Sequence, residues 1–180
     1  MKKGRTTLKP GWKRTKMASN YKWNGGSKLA EKLSAIAKRM DKNLDLQVGI
    51  FAGERYTPRH PIRGTKRKPL HVAQVAFWNE YGTSRTPARP FLGTAVSAYK
   101  AEWAKNFAGI LRASDYNTVL ALTRLGYFMK EDIEQVIQAW SEPPNSPRTQ
   151  RIKGFNKPLI DDGTMQRAID FQLTDKLDRF

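Results

Sequence analysis

The sequence predicts an α+β fold, a small and mostly antiparallel sheet packed by two to three long helices, with a basic extended N-terminal arm. Residues 44–51 and 165–173 alternate apolar and polar side chains with period two, the pattern of half-buried strands. Residues 28–41, 90–111 and 118–140 repeat apolar side chains every three or four positions, the pattern of helices with one covered face. Residues 1–26 hold eight Lys and Arg and no acidic residue, too little apolar surface to form a core of their own. A chain of 180 residues has room for one sizeable domain, 27–180, behind an arm at 1–26.

In the arm, Trp12, Tyr21 and Trp23 stand among the basic residues. Such a segment is expected to order on an anionic partner or on a neighbouring subunit, its aromatics either plugging into a partner or stacking on bases. Gly25, Gly26 and Ser27 then make a break and an N-cap, and Leu29, Leu33, Ile36 and Met40 give the first helix an apolar face expected to be buried. Leu44, Leu46, Val48 and Ile50 alternate with Asp45, Gln47 and Gly49 in the first strand. Residues 52–69 carry Arg55, Arg59, Arg63, Lys66, Arg67 and Lys68 against Glu54 alone, and read as a long functional loop.

A short helix is expected from His71, ending in Trp78-Asn79-Glu80-Tyr81-Gly82-Thr83. Pro90, at a first helical position, opens the next helix, with Phe91, Ala95, Tyr99, Trp103 and Phe107 at steps of four. Asn117 caps the third long helix, whose stripe is Leu122, Leu125, Met129, Ile133, Val136, Ile137 and Trp140. Residues 141–158 combine Pro143, Pro144, Pro147 and Pro158 with Arg148, Arg151, Lys153 and Lys157, and read as an irregular basic linker. The turn Asp161-Asp162-Gly163 leads to the C-terminal strand. There Arg167 shares the parity of Met165, Ile169, Phe171 and Leu173, which loosens the expected register.

The net charge of +17 and pI near 10.3 favour a polyanionic partner, nucleic acid first. The basic residues fall in the arm and the two expected loops, away from any helix face, which suits phosphate contact without base reading. With no cysteine, disulfides, thiolate chemistry and Cys-bearing zinc sites are excluded, and a reducing cytoplasm suits the composition. No apolar run follows the basic start, no segment is long and apolar enough to span a bilayer, and no lipidation signal occurs, so no membrane attachment is expected.

Catalytic and metal readings find little support. His60 and His71 are the only histidines and neither has a helix-spaced second ligand. Glu80, Asp161 and Asp162 could hold Mg²⁺ only if the fold brought them together, and Asp-Asp-Gly is ordinary turn chemistry. No phosphate-cradling glycine loop occurs, and no nucleophile, base and orienting group can be assembled. No catalytic residue, metal or cofactor is therefore expected.

Val75-Ala76-Phe77-Trp78-Asn79-Glu80-Tyr81-Gly82-Thr83, followed by Thr86-Pro87-Ala88-Arg89-Pro90-Phe91-Leu92, resembles the signature of small tail-component proteins of long-tailed bacteriophages. A second block, 147–154 continuing through Lys157-Pro158-Leu159-Ile160-Asp161-Asp162-Gly163-Thr164-Met165, is similar to a block of the same proteins and of the related virion morphogenesis group. Asp162 stands where that block more often has threonine. The resemblance covers roughly residues 44–173.

It implies a non-enzymatic structural protein of the neck, joining head to tail or completing the tail. Identical subunits, most often six, would form a ring around the DNA channel beside other neck and tail proteins, assembled in the host cytoplasm. Genomic DNA would be met through its phosphates, which fits Arg and Lys borne on loops. The alternatives are a cytoplasmic nucleic-acid-binding protein of ribosome-associated type and, less favoured, a metal-dependent nuclease. Under the structural reading Gly82 lies past a helix end at positive φ, Pro87 and Pro90 brace the connection, and Phe91 anchors the next helix. Glu80 is expected to pair with Arg85, with Arg89, or across a subunit boundary.

Overall fold

Strands β1 (Leu44–Ile50) and β2 (Ile169–Asp175) pair antiparallel in the register that their alternation demands. Leu46 faces Leu173, Val48 faces Phe171 and Ile50 faces Ile169, so every apolar pair falls on one face. Gln47 and Gln172 pair on the other face, where the Gln172 amide donates to Gln47 Oε1 at 3.1 Å. A slip of one residue would turn the apolar set to solvent. The computed structural model describes residues 26–40, 43–56 and 69–175.

The remaining elements are α1 (Gly26–Arg39), α2 (Val72–Tyr81), α3 (Phe91–Ala113), α4 (Thr118–Ala139), α5 (Pro147–Lys153) and α6 (Thr164–Arg167). Helices plus this small sheet make the fold α+β. Two units are distinguished, Met1–Ala35 and Ile36–Phe180, and α1 runs across their boundary. α1 is amphipathic as expected, but the expectation of a buried face fails: none of its residues is buried, and Leu29 and Leu33 are 59% and 57% exposed. Amphipathicity dictates that a face should be covered; it does not dictate that the same chain covers it.

Within the larger unit, α3 and α4 form an αα-hairpin and α4 covers both strands. Phe91, Ala95 and Trp103 from the predicted α3 stripe are buried, as are Leu125, Ile133 and Ile137 from that of α4. The Trp103 indole donates to Asp132 Oδ2 at 2.6 Å, tying the two helices. Asn117 caps α4 as expected, its Oδ1 accepting from Leu120 N at 3.0 Å. Gly126 lets α4 approach the sheet, since a Cβ there would lie 2.5 Å from Phe171 Cδ2. Phe91, Ile137, Ile169 and Val72 are fully buried and centre the core.

Three boundaries differ from the sequence expectation. Pro90 is the N-cap of α3, with φ −75° and ψ 69°, and Phe91 takes the first helical position. The linker 141–158 is not wholly irregular: Ser146 Oγ accepts from Thr149 N at 3.2 Å, Pro147 sits in the first turn, and Gly154 ends α5 in the left-handed region at φ 79°. β2 begins at Ile169, four residues later than expected, because residues 164–167 form a helical turn. That turn removes Arg167 from the strand and with it the clash of parity.

Candidate functional site

The end of α2 is a hydrogen-bonded corner. Gly82 leaves the helix at φ 76° and ψ 177°, as the expected positive φ requires. Thr83 N donates to Thr86 O at 2.8 Å, and Thr83 Oγ1 accepts from Thr86 N at 3.0 Å. Arg89 N returns to Asn79 O, closing a loop that carries Pro87 on its surface. The loop delivers Phe91 to the core at zero exposure.

Glu80 turns to backbone amides and not to Arg85 or Arg89, the partners expected of it within the chain. Its Oε2 accepts from Leu92 N and its Oε1 from Gly93 N, both at 2.9 Å. The carboxylate thus fills the role of a side-chain cap for α3, where Pro90 has none to give, and opposes the positive end of the helix dipole. Arg89 is buried at 6% exposure and donates Nε to Pro143 O and Nη2 to Pro144 O, each at 3.0 Å. Burial pushes its guanidinium below the ordinary arginine value.

The second block folds onto the first. Leu159 and Met165 enter the same core as Val72 and Ala76 of α2. The Asn79 amide donates to Val75 O at 2.9 Å and lies 3.9 Å from Met165 Sδ. Asp162 Oδ1 accepts from Thr164 N at 2.8 Å, and Gly163 takes φ 79° beneath the Arg167 side chain. A cavity of about 270 Å³ opens where the blocks meet, between Tyr56, Asn79, Lys153, Leu159, Asp161 and Asp162.

Burial, then Asp162 and Asp161, raises the Tyr56 hydroxyl to about 12. Burial lowers the Lys153 ammonium, Asp161 opposes that shift and Arg89 adds to it. Lys153 Nζ donates to Lys157 O at 2.6 Å and stands 5.1 Å from the Phe155 ring centroid. Tyr56 had no signal in the sequence pattern, being a lone tyrosine at the edge of an expected loop.

The basic candidates divide. Arg55 is exposed and donates to Pro69 O at 3.2 Å. Arg148 and Arg151 are exposed on α5, so they stand on a helix rather than an irregular linker, while Lys153 turns inward to the cavity. Arg59, Arg63, Lys66, Arg67 and Lys68 lie outside the described residues, as do Trp12, Tyr21 and Trp23.

The exposed aromatics escaped the sequence reading because helical spacing treats every apolar residue as a core candidate. Phe77 and Tyr81 are 58% and 70% exposed with ring centroids 4.7 Å apart. Tyr127, also exposed, meets Phe171 edge-on at 4.8 Å.

Glu80 is turned to the start of α3 and Asp162 to the start of α6, so the structure does not build a Glu80–Asp161–Asp162 centre. Among the described residues no group of three or more His, Asp or Glu is placed to hold a metal ion. No helix among them is long and apolar enough to cross a membrane. Comparison of the chain with known protein families, with curated proteins and with solved structures finds no match.

Proposed function

We propose that this chain is a structural protein of a bacteriophage virion, acting at the neck to join head and tail or complete the tail. Identical subunits, six by analogy with the family it resembles, would form a ring around the DNA channel beside other neck and tail proteins. The observation that carries the reading is the convergence of the two blocks on which the resemblance rests. Their polar groups hold the fold: Glu80 accepts the first amides of α3, Arg89 fixes the Pro143–Pro144 segment, and Asp162 accepts from Thr164 N at the start of α6. Residues arranged this way support a rigid shape, and a rigid shape presented to neighbours is what a ring component needs.

Two further features support assembly. Large apolar side chains stay exposed on α1, α2 and α4. The net charge of +17 suits sequence-independent contact with DNA phosphates, with Arg148 and Arg151 available on α5.

A salt titration of DNA and RNA binding tests the reading against its nearest rival. The proposal expects binding that ignores sequence, weakens steeply with salt and comes from an oligomer. Tight, RNA-preferring binding by a stable monomer would instead favour a ribosome-associated type of protein. Mg²⁺-dependent plasmid nicking lost in Glu80→Gln or Asp161→Asn would favour a nuclease.

A further inference from the structure

We propose that α1 of one copy docks, head to tail, in the groove between α2 and α3 of a second copy. The groove measures about 430 Å³ and is walled by Phe77 and Tyr81 of α2, Leu92 and Val96 of α3, and Ile50 of β1. Val72 is fully buried on the core side of α2 and Ala76 lies at the base of the groove, while Phe77 and Tyr81 stay exposed along it, so this short apolar helix is covered on one side only. A helix apolar all round belongs in an interior, so its open side calls for a partner.

The same chain carries a matching element. α1 presents Leu29, Leu33 and Ile36 along one face, and none of its residues is buried. Charge agrees as well. α1 holds Lys28, Lys32, Lys38 and Arg39 against Glu31 alone, whereas among the described residues the one charged side chain lining the groove is the carboxylate of Glu80. In a chain with 33 basic and 16 acidic residues, a groove of that sign selects a basic apolar helix over most of the remaining surface.

Geometry inside the larger unit favours a second copy as the source. Arg39 pairs with Asp115, just past the C-terminal end of α3. The groove lies toward the opposite end of that 23-residue helix, about 30 Å away at the usual rise. Ile36, one turn before Arg39, therefore stands far from the groove of its own chain. A donor face and an acceptor groove built from different residues make a heterologous contact, which propagates until it closes as a ring or runs on as a filament.

The inference deepens the assembly reading and needs only self-association, so each can fail alone. The chain has no cysteine, which makes disulfide trapping clean. Full-length Leu33→Cys and Phe77→Cys chains are prepared separately, mixed and oxidised, with Val96→Cys as a second groove position. The expected result is a cross-linked dimer in the mixtures and little in either chain alone. Leu29→Asp added to the Leu33→Cys chain, on the same face of the docking helix, should cut the product about tenfold, as loss of a buried leucine does. Cross-links within a monomer of a chain carrying both Leu33→Cys and Phe77→Cys, equal yields from the single variants, or no product with either groove position would overturn the proposal. A product from the mixtures with no place for the protein in a particle would leave the contact standing and sink the neck assignment.

Discussion

Replacing Gly82 with alanine should destabilise the larger unit by about 3 kcal/mol, from two sources that the corner makes explicit. The backbone at φ 76° and ψ 177° lies in a region that side-chain-bearing residues avoid, at a cost of about 1–3 kcal/mol. The new Cβ would also lie 2.9 Å from Ala88 N and 3.1 Å from Thr86 O, both backbone atoms. Neither can yield freely, because Thr86 O accepts from Thr83 N and the next amide, Arg89 N, donates to Asn79 O. Overpacking of this kind adds about 1–2 kcal/mol.

Urea unfolding followed by tryptophan fluorescence reads the change as a lower midpoint at unchanged slope. Gly109→Ala is the matched control. It lies inside α3 with no atom within 4 Å of a new Cβ, so it should stabilise by about 0.5–1 kcal/mol. A Gly82→Ala variant within about 0.5 kcal/mol of the parent would refute the reasoning, because that is the scatter of unconstrained surface positions.

Glu80→Ala should cost about 1–2 kcal/mol in the same assay by leaving Leu92 N and Gly93 N without their acceptor, and Glu80→Gln should recover part of it. Arg89→Lys should lose about 2 kcal/mol, since an ammonium cannot reproduce the fork to Pro143 O and Pro144 O in a buried setting. Gly126→Ala should cost about 1–3 kcal/mol by driving α4 off the Phe171 ring. Tyr56, raised by burial from the ordinary tyrosine value of 10.0 to about 12 in the fold, binds its proton more tightly folded than unfolded. Its contribution is therefore complete below pH 10 and lost as pH rises toward 12; urea midpoints measured over that window should fall less steeply in Tyr56→Phe.

What could be read in advance was what obeys a short-range rule. The alternation at 44–50 and 169–175 pins a strand register because one slip exposes every apolar residue. Asn117 and Gly82 announce helix ends by side-chain and backbone chemistry alone. The linker misled because four prolines hid the cap at Ser146, and a proline after a cap starts a helix as readily as it ends one. Glu80 misled for another reason. Charge patterning offers arginines as partners, whereas its actual donors are backbone amides that carry no sequence signal. The exposed faces of α1 and α2 were illegible because amphipathic spacing predicts that a face is covered and is silent about which chain covers it.

The central claim is a ring at the neck of a phage particle, and electron microscopy tests it most directly. Purified full-length protein would be imaged alone, and particles would be labelled with antibody against it. A neck ring should give closed rings with a central channel, and label confined to the junction of head and tail. Compact monomers at every concentration, with no label on any particle, would contradict it.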